Sequence, residues 1–149
     1  MTGARALRGS KEAIDLPILD RSKLVYVGQG TYRISGYYLR VYLPDKNGEP
    51  VLERDPEDAN SASKVDASLS ARVWWAIAWP VWYGMTGNRC FFIGQGGDLF
   101  SSNNQPTRYS GMERIPPPNA ATPPAEPPNP PWIPAVNDFG AARVRWTVV

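Results

Sequence analysis

Catalytic chemistry has few places to sit in this sequence. The chain contains no histidine and a single cysteine, Cys90. That removes Ser-His-Asp and Cys-His arrangements and most zinc-binding sets at once. What remains for acid–base or metal work is carboxylate. The stretch DPEDAN at 55–60 groups three acids, but it lacks the Asp-x-Asp-x-Asp-Gly spacing with which a calcium loop gathers oxygen ligands. Asp55 before Pro56, followed by Glu57 and Asp58, reads instead as the negatively charged start of a helix. Glycoside hydrolysis needs two carboxyl groups facing one cleft. Only Asp98, after GQGG at 94–97, is flanked by β-forming and aromatic residues, and a lone Asp in a Gly-rich turn ordinarily bonds its own backbone. GQGG also lacks the lysine and the following helix of a phosphate-binding loop. No catalytic, metal or cofactor-binding residue is expected, and the chain reads as a non-enzyme.

Binding chemistry has more material. In ARVWWAIAWPVWYGM, residues 71–85, four of the six tryptophans crowd together: Trp74, Trp75, Trp79 and Trp82. A spanning helix needs about 20 apolar residues, and this run is shorter and broken by Pro80. Residues 73–83 carry no charge, so the polar face of an interfacial helix is missing too. A sugar platform sets exposed rings among polar neighbours, and the stretch contains no Asp, Asn or Gln. Upstream, TYRISGYYLRVYL at 31–43 interleaves Tyr32, Tyr37, Tyr38 and Tyr42 with Arg33 and Arg40. On a sheet, such aromatics stack bases while arginines meet phosphates. SGYYLRVY is similar to the central aromatic motif of the RNA-recognition motif, but it lacks the second glycine and the βαββαβ setting. GQGT at 28–31 resembles the last strand of immunoglobulin variable domains, but here it comes early and the paired cysteines are missing. Trp, Tyr and Arg are above all the residues that anchor protein–protein interfaces. The expected interaction residues are therefore Trp74, Trp75, Trp79, Trp82, Tyr37, Tyr38, Arg40 and, far downstream, Trp132.

Those side chains must be positioned by strands. KLVYVG at 23–28 is β-branched and aromatic, and the pattern resumes over TYRISGYYLRVYLP at 31–44. Alternation puts Tyr37, Leu39, Val41 and Leu43 on one face and Tyr38, Arg40 and Tyr42 on the other. DKNG at 45–48 is a turn, since Asn and Gly tolerate positive φ. EPVLER at 49–54 returns as a partner strand that Pro50 marks as an edge. Residues 55–70 read as a short helix and then a flexible loop. Val73, Trp75, Ile77, Trp79 and Val81 alternate with Trp74, Ala76, Ala78 and Trp82. With both faces apolar, this is a strand buried on both sides, with Pro80 at a bulge or bend. GMTGN turns the chain and RCFFIG at 89–94 returns it, with Cys90 as a small core hydrophobe. The repeated Gly-Gln-Gly at 28–30 and 94–96 marks strand ends. Residues 101–115 read as a polar loop. AARVRWTVV at 141–149 closes the chain as a strand that slots into the sheet.

The flanks are different in kind. Ten of the sixteen prolines fall within 116–134, which confines that segment to extended, polyproline-like coil. Trp132 and Ile133 at its end are expected to dock on the body. Residues 1–22 read as an extended arm without the apolar core of a signal peptide. A net charge of +2 over 149 residues is too small to gather nucleic acid or anionic lipid over the whole surface. The expected organisation is an arm at 1–22, a β-rich body at 23–115, a proline-rich strap at 116–134 and a returning strand at 135–149. The fold class is mainly β, a single-domain β-sandwich or partly open barrel of about six to eight strands. The functional expectation is a non-enzymatic subunit of a multi-chain assembly, by analogy with phage and virion shell, head–tail or decoration proteins, located in a virion or the cytoplasm. Its partners are other protein subunits, with no membrane insertion. The alternative is a carbohydrate- or single-stranded nucleic-acid-binding β module.

Overall fold

The alternating stretches pair into eight strands of one antiparallel sheet: β1 Val25–Gly28, β2 Thr31–Ile34, β3 Tyr37–Pro44, β4 Pro50–Leu52, β5 Trp75–Pro80, β6 Cys90–Gly94, β7 Leu99–Ser102 and β8 Trp146–Val148. The computed structural model describes residues 23–54, 58, 60–121 and 146–149. The sheet is open, with strand order β1-β2-β3-β5-β6-β7-β8. β4 shares an edge of β3 with β2: Tyr37 to Leu39 pair with β2, and Tyr42 to Pro44 pair with β4. The chain is mainly β, as its alternation indicates. The single open sheet is consistent with a partly open sandwich or barrel. Among the described residues, the irregular segment 103–121 folds across one of its faces.

Local sequence explains the connections. The run 31–44, continuous by composition, is broken at Ser35 and Gly36. Both have positive φ, which suits a two-residue hairpin turn, and Ile34 then pairs with Tyr37. Asp45 closes the DKNG turn by accepting the Asn47 and Glu49 amides at 2.7 and 2.9 Å. Pro50 lies at the sheet's edge, where its missing N–H costs no ladder bond. The two Gly-Gln-Gly segments end strands but differ in conformation. Gly28, Gln29 and Gly30 all have positive φ, whereas in the second copy only the following Gly97 does. At Gly30 a Cβ would fall 2.6 Å from the Arg54 carbonyl oxygen, so close backbone approach excludes a side chain there.

Residues 60–70, the continuously described part of the stretch read as a short helix and then a flexible loop, form two single-turn helices, α1 Ser61–Lys64 and α2 Ala67–Ser70. Asp66 caps α2 by accepting the Leu69 amide at 2.7 Å. Val73 donates its amide back to Leu69, so it belongs to this turn and the strand begins at Trp75. Pro80 is the last residue of β5, beyond the point where pairing with β6 has ended. The expected cap at Asp55, the arm at 1–22 and most of the proline strap lie outside the described residues.

The core lies between the sheet and segment 103–121. β3 sends Tyr42, β5 sends Trp75, Ile77 and Trp79, β6 sends Cys90 and Phe92, β7 sends Phe100 and β8 sends Trp146. Tyr109, Ala120 and Ala121 close it from above. Three indoles fasten the cover: Trp79 Nε1 donates to the Gly111 carbonyl at 2.8 Å, Trp75 Nε1 to Pro118 at 2.9 Å and Trp146 Nε1 to Ala120 at 3.1 Å. Each bond satisfies a donor that would be costly to bury alone, together with a carbonyl of a segment that has no ladder of its own. The expected polar loop is thus packed. Its fully buried Asn104 exchanges two hydrogen bonds with the Tyr109 backbone, accepting its amide at 2.7 Å and donating to its carbonyl at 2.9 Å.

Burial also pushes the Cys90 thiol and the Tyr42 hydroxyl up from their ordinary pKa values. Unfolding would release protons that the folded chain retains. The stability this contributes is complete below about pH 8.5, where the free thiol begins to ionise. It is lost progressively as pH rises through the raised native values. We expect the urea midpoint to fall above that pH, and a thiol reagent to label Cys90 only after denaturant is added.

Candidate interaction surface

Several of the described carboxylates are taken up by local structure. Asp45 and Asp66 hold a turn and a helix start. Asp58 pairs with Lys64, and this pairing together with the Asn60 amide lowers its pKa. Among the described residues no group of three His, Cys, Asp or Glu side chains comes together. A shallow groove of about 330 Å³ runs between β3, β4, α1 and Pro118. Arg40 at its wall is committed to structure. Its Nε donates to Thr31 Oγ1 at 2.9 Å, and its Nη2 donates to the Gln29 carbonyl at 3.0 Å.

The residues expected at an interface separate into three groups. Trp75 and Trp79 are fully buried in the core, so as folded they have no ring surface to offer a partner. Tyr38 and Arg40 share that covered face, with Tyr38 packed against Trp79 at a ring separation of 5.9 Å. Tyr37 is half-buried on the opposite face, where it meets Phe91 across β5 at 5.7 Å. Trp74 is half-buried just before β5. Trp82 alone of the four is exposed, at 63%, beside Met85 at 76%. Both belong to the turn between β5 and β6. That turn is held by Trp82–Thr86 bonds and by Tyr83, whose amide donates to Ser110 Oγ and whose hydroxyl meets Gln105. Trp132 lies outside the described residues.

Sequence reasoning reached the second face of the sheet only in part. Cross-strand register aligns Leu39, Ala78, Phe91 and Ser101 in one row and Val41, Ala76, Ile93 and Leu99 in the next. Five of these eight side chains are half-buried, Ala76 and Ser101 are buried, and Leu99 is exposed. Among the described residues the main element contacts of these strands are with their ladder neighbours and, at β3, with the single-turn helix α2. The rim is polar: Tyr32 donates to Glu53 at one side, and Ser101 and Thr147 lie at the other. The β3 alternation already carried half of this signal in Leu39 and Val41. The rest needed the pairing register.

Comparison of the chain with protein-family models, with curated proteins and with solved structures finds no match. Among the described residues no helix is long and apolar enough to cross a membrane.

Proposed function

We propose that the chain is a non-enzymatic structural subunit of a multi-chain assembly. The observation that carries this reading is an apolar sheet face that stays partly exposed among the described residues. A sheet normally buries at least one face against another layer, and this one has a core on one side and a second row of aliphatic and aromatic residues on the other. Contiguous apolar patches with a polar rim mark interaction sites. The exposed Trp82 and Met85, on a turn fixed by hydrogen bonds, add a second contact of the kind enriched at interfaces. The particular setting we propose is a virion capsid, head–tail or decoration protein. It rests on analogy with small β-rich subunits that carry extended flanking segments.

Light scattering of the purified full chain over a concentration series tests this. The expected result is a mass above that of one chain, rising with concentration. A monomer at every concentration, with tryptophan fluorescence quenched by an oligosaccharide or an oligonucleotide, overturns the proposal in favour of a binding module.

A further inference from the structure

We infer that the open face is closed by the same face of a second copy of this chain, in a sheet-on-sheet dimer with two-fold symmetry. The inference rests on the subunit reading above and names its partner. Extent is the first support. Six of the seven strands that lie side by side, β2, β3 and β5 to β8, face the partner in the arrangement below, which at about 4.8 Å spacing and about 3.3 Å per residue amounts to about 480 Å² of surface for five-residue strands. Two such faces together approach the roughly 1,000 Å² expected of a specific interface.

The second support is the order of side chains along each row. Both rows are low at β5, where Ala76 and Ala78 stand, and high at β6, where Ile93 and Phe91 stand. A two-fold axis parallel to the strands, between β5 and β6, exchanges those two strands. Ile93 then lies over the partner's Ala76, and Phe91 over the partner's Ala78. One strand further out, β7 lies over the partner's β3, so Leu99 meets Val41. Beyond that, β8 lies over the partner's β2, so Thr147 approaches Tyr32. Large meets small at the centre; beside it aliphatic meets aliphatic in one row and Ser101 lies over the partner's Leu39 in the other; and hydroxyl meets hydroxyl at the rim. Face-to-face sheets pack about 10 Å apart and within about 30° of each other, so the match holds best for the strands nearest the axis.

The experiment uses two single variants of the full chain, Val41→Glu and Leu99→Lys. Within one chain these positions are separated by β5 and β6, so the introduced charges do not meet. Across the proposed axis they do. Sedimentation velocity of wild type, of each variant and of their equimolar mixture gives the readout. Near-ultraviolet circular dichroism of the buried tryptophans checks that each variant is folded. The expected result is a wild-type dimer, a loss of dimerisation of at least tenfold in each variant alone, and its recovery in the mixture. Two folded variants that associate like wild type overturn this interface while leaving the subunit reading intact. Variants that dissociate without recovering on mixing overturn the two-fold register. A wild type that sediments as a monomer at every concentration overturns the inference outright.

Discussion

Replacing Trp79 by alanine is expected to remove about 3–5 kcal/mol of folding stability, the range for truncating a large aromatic in a core. Replacing Trp82, three residues on, is expected to change stability by about 0.5 kcal/mol or less. The two residues look alike in the sequence, but their surroundings do not. Trp79 is fully buried, packs on Tyr38, and ties Gly111 to the sheet through its indole N–H. Truncation to alanine leaves a cavity and strips the Gly111 carbonyl of its donor. Trp82 projects from a turn with most of its ring in solvent, and the hydrogen bonds it makes there use its backbone, which survives substitution. Urea denaturation followed by far-ultraviolet circular dichroism separates the cases. Trp79→Ala should lower the midpoint sharply, and Trp82→Ala should leave it within error. Equal losses from both would show that the 81–88 turn is part of the core.

That contrast shows what the sequence could carry. Strand periodicity was legible because it is local: β3 alternates as its residue types require, and the DKNG turn and β4 follow from Asn47, Gly48 and Pro50. The β5 run was legible as a strand apolar on both faces. Its end was not, because whether Trp82 lies in a ladder or in a turn depends on where β6 starts pairing. The cover over the core was legible only as a proline-rich segment. Nothing in PPPNAA states that two indoles, one from β5 and one from β8, will hold its carbonyls. Those partners are 26 and 43 residues apart for the two bonds to this stretch, and hydrogen bonds to backbone leave no trace in side-chain pattern. Asn104 is the sharpest case. An asparagine in SSNNQP reads as a surface turn residue, yet it is fully buried because the Tyr109 backbone satisfies both ends of its amide. The open face was half visible for a related reason. Alternation separates two faces of a strand, but only register shows that Val41, Ala76, Ile93 and Leu99 share one of them.

The second large effect is expected at Trp146. This residue opens β8 and is the point at which segment 146–149 enters the core. It is fully buried, its ring meets Phe92 edge-on at 6.4 Å, and its Nε1 donates to Ala120 at 3.1 Å. Trp146→Ala should cost about 3–5 kcal/mol. It should also fray β8 from β7, because on the β8 side of that three-pair ladder no other side chain is buried: Thr147, Val148 and Val149 are exposed. Trp146→Phe keeps an aromatic ring in the cavity but leaves the buried Ala120 carbonyl without its indole donor, at about 1–3 kcal/mol. Amide exchange resolves the two contributions. The Ala120 amide, which donates to Pro117 within the same turn, should exchange faster in both variants, because the indole no longer holds the cover down. The Val149 amide, which donates to Leu99, should exchange faster in the alanine variant and stay protected in the phenylalanine one. Leu99 and Thr147 belong to the face we propose for the dimer contact, so a frayed β8 would also spoil that proposed surface. Trp146→Ala should therefore weaken self-association at protein concentrations and temperatures where the chain is still folded, whereas Trp146→Phe should not. A phenylalanine variant that loses both protection and association as fully as the alanine one would mean that the hydrogen bond to Ala120, rather than the volume of the ring, secures β8 to the sheet.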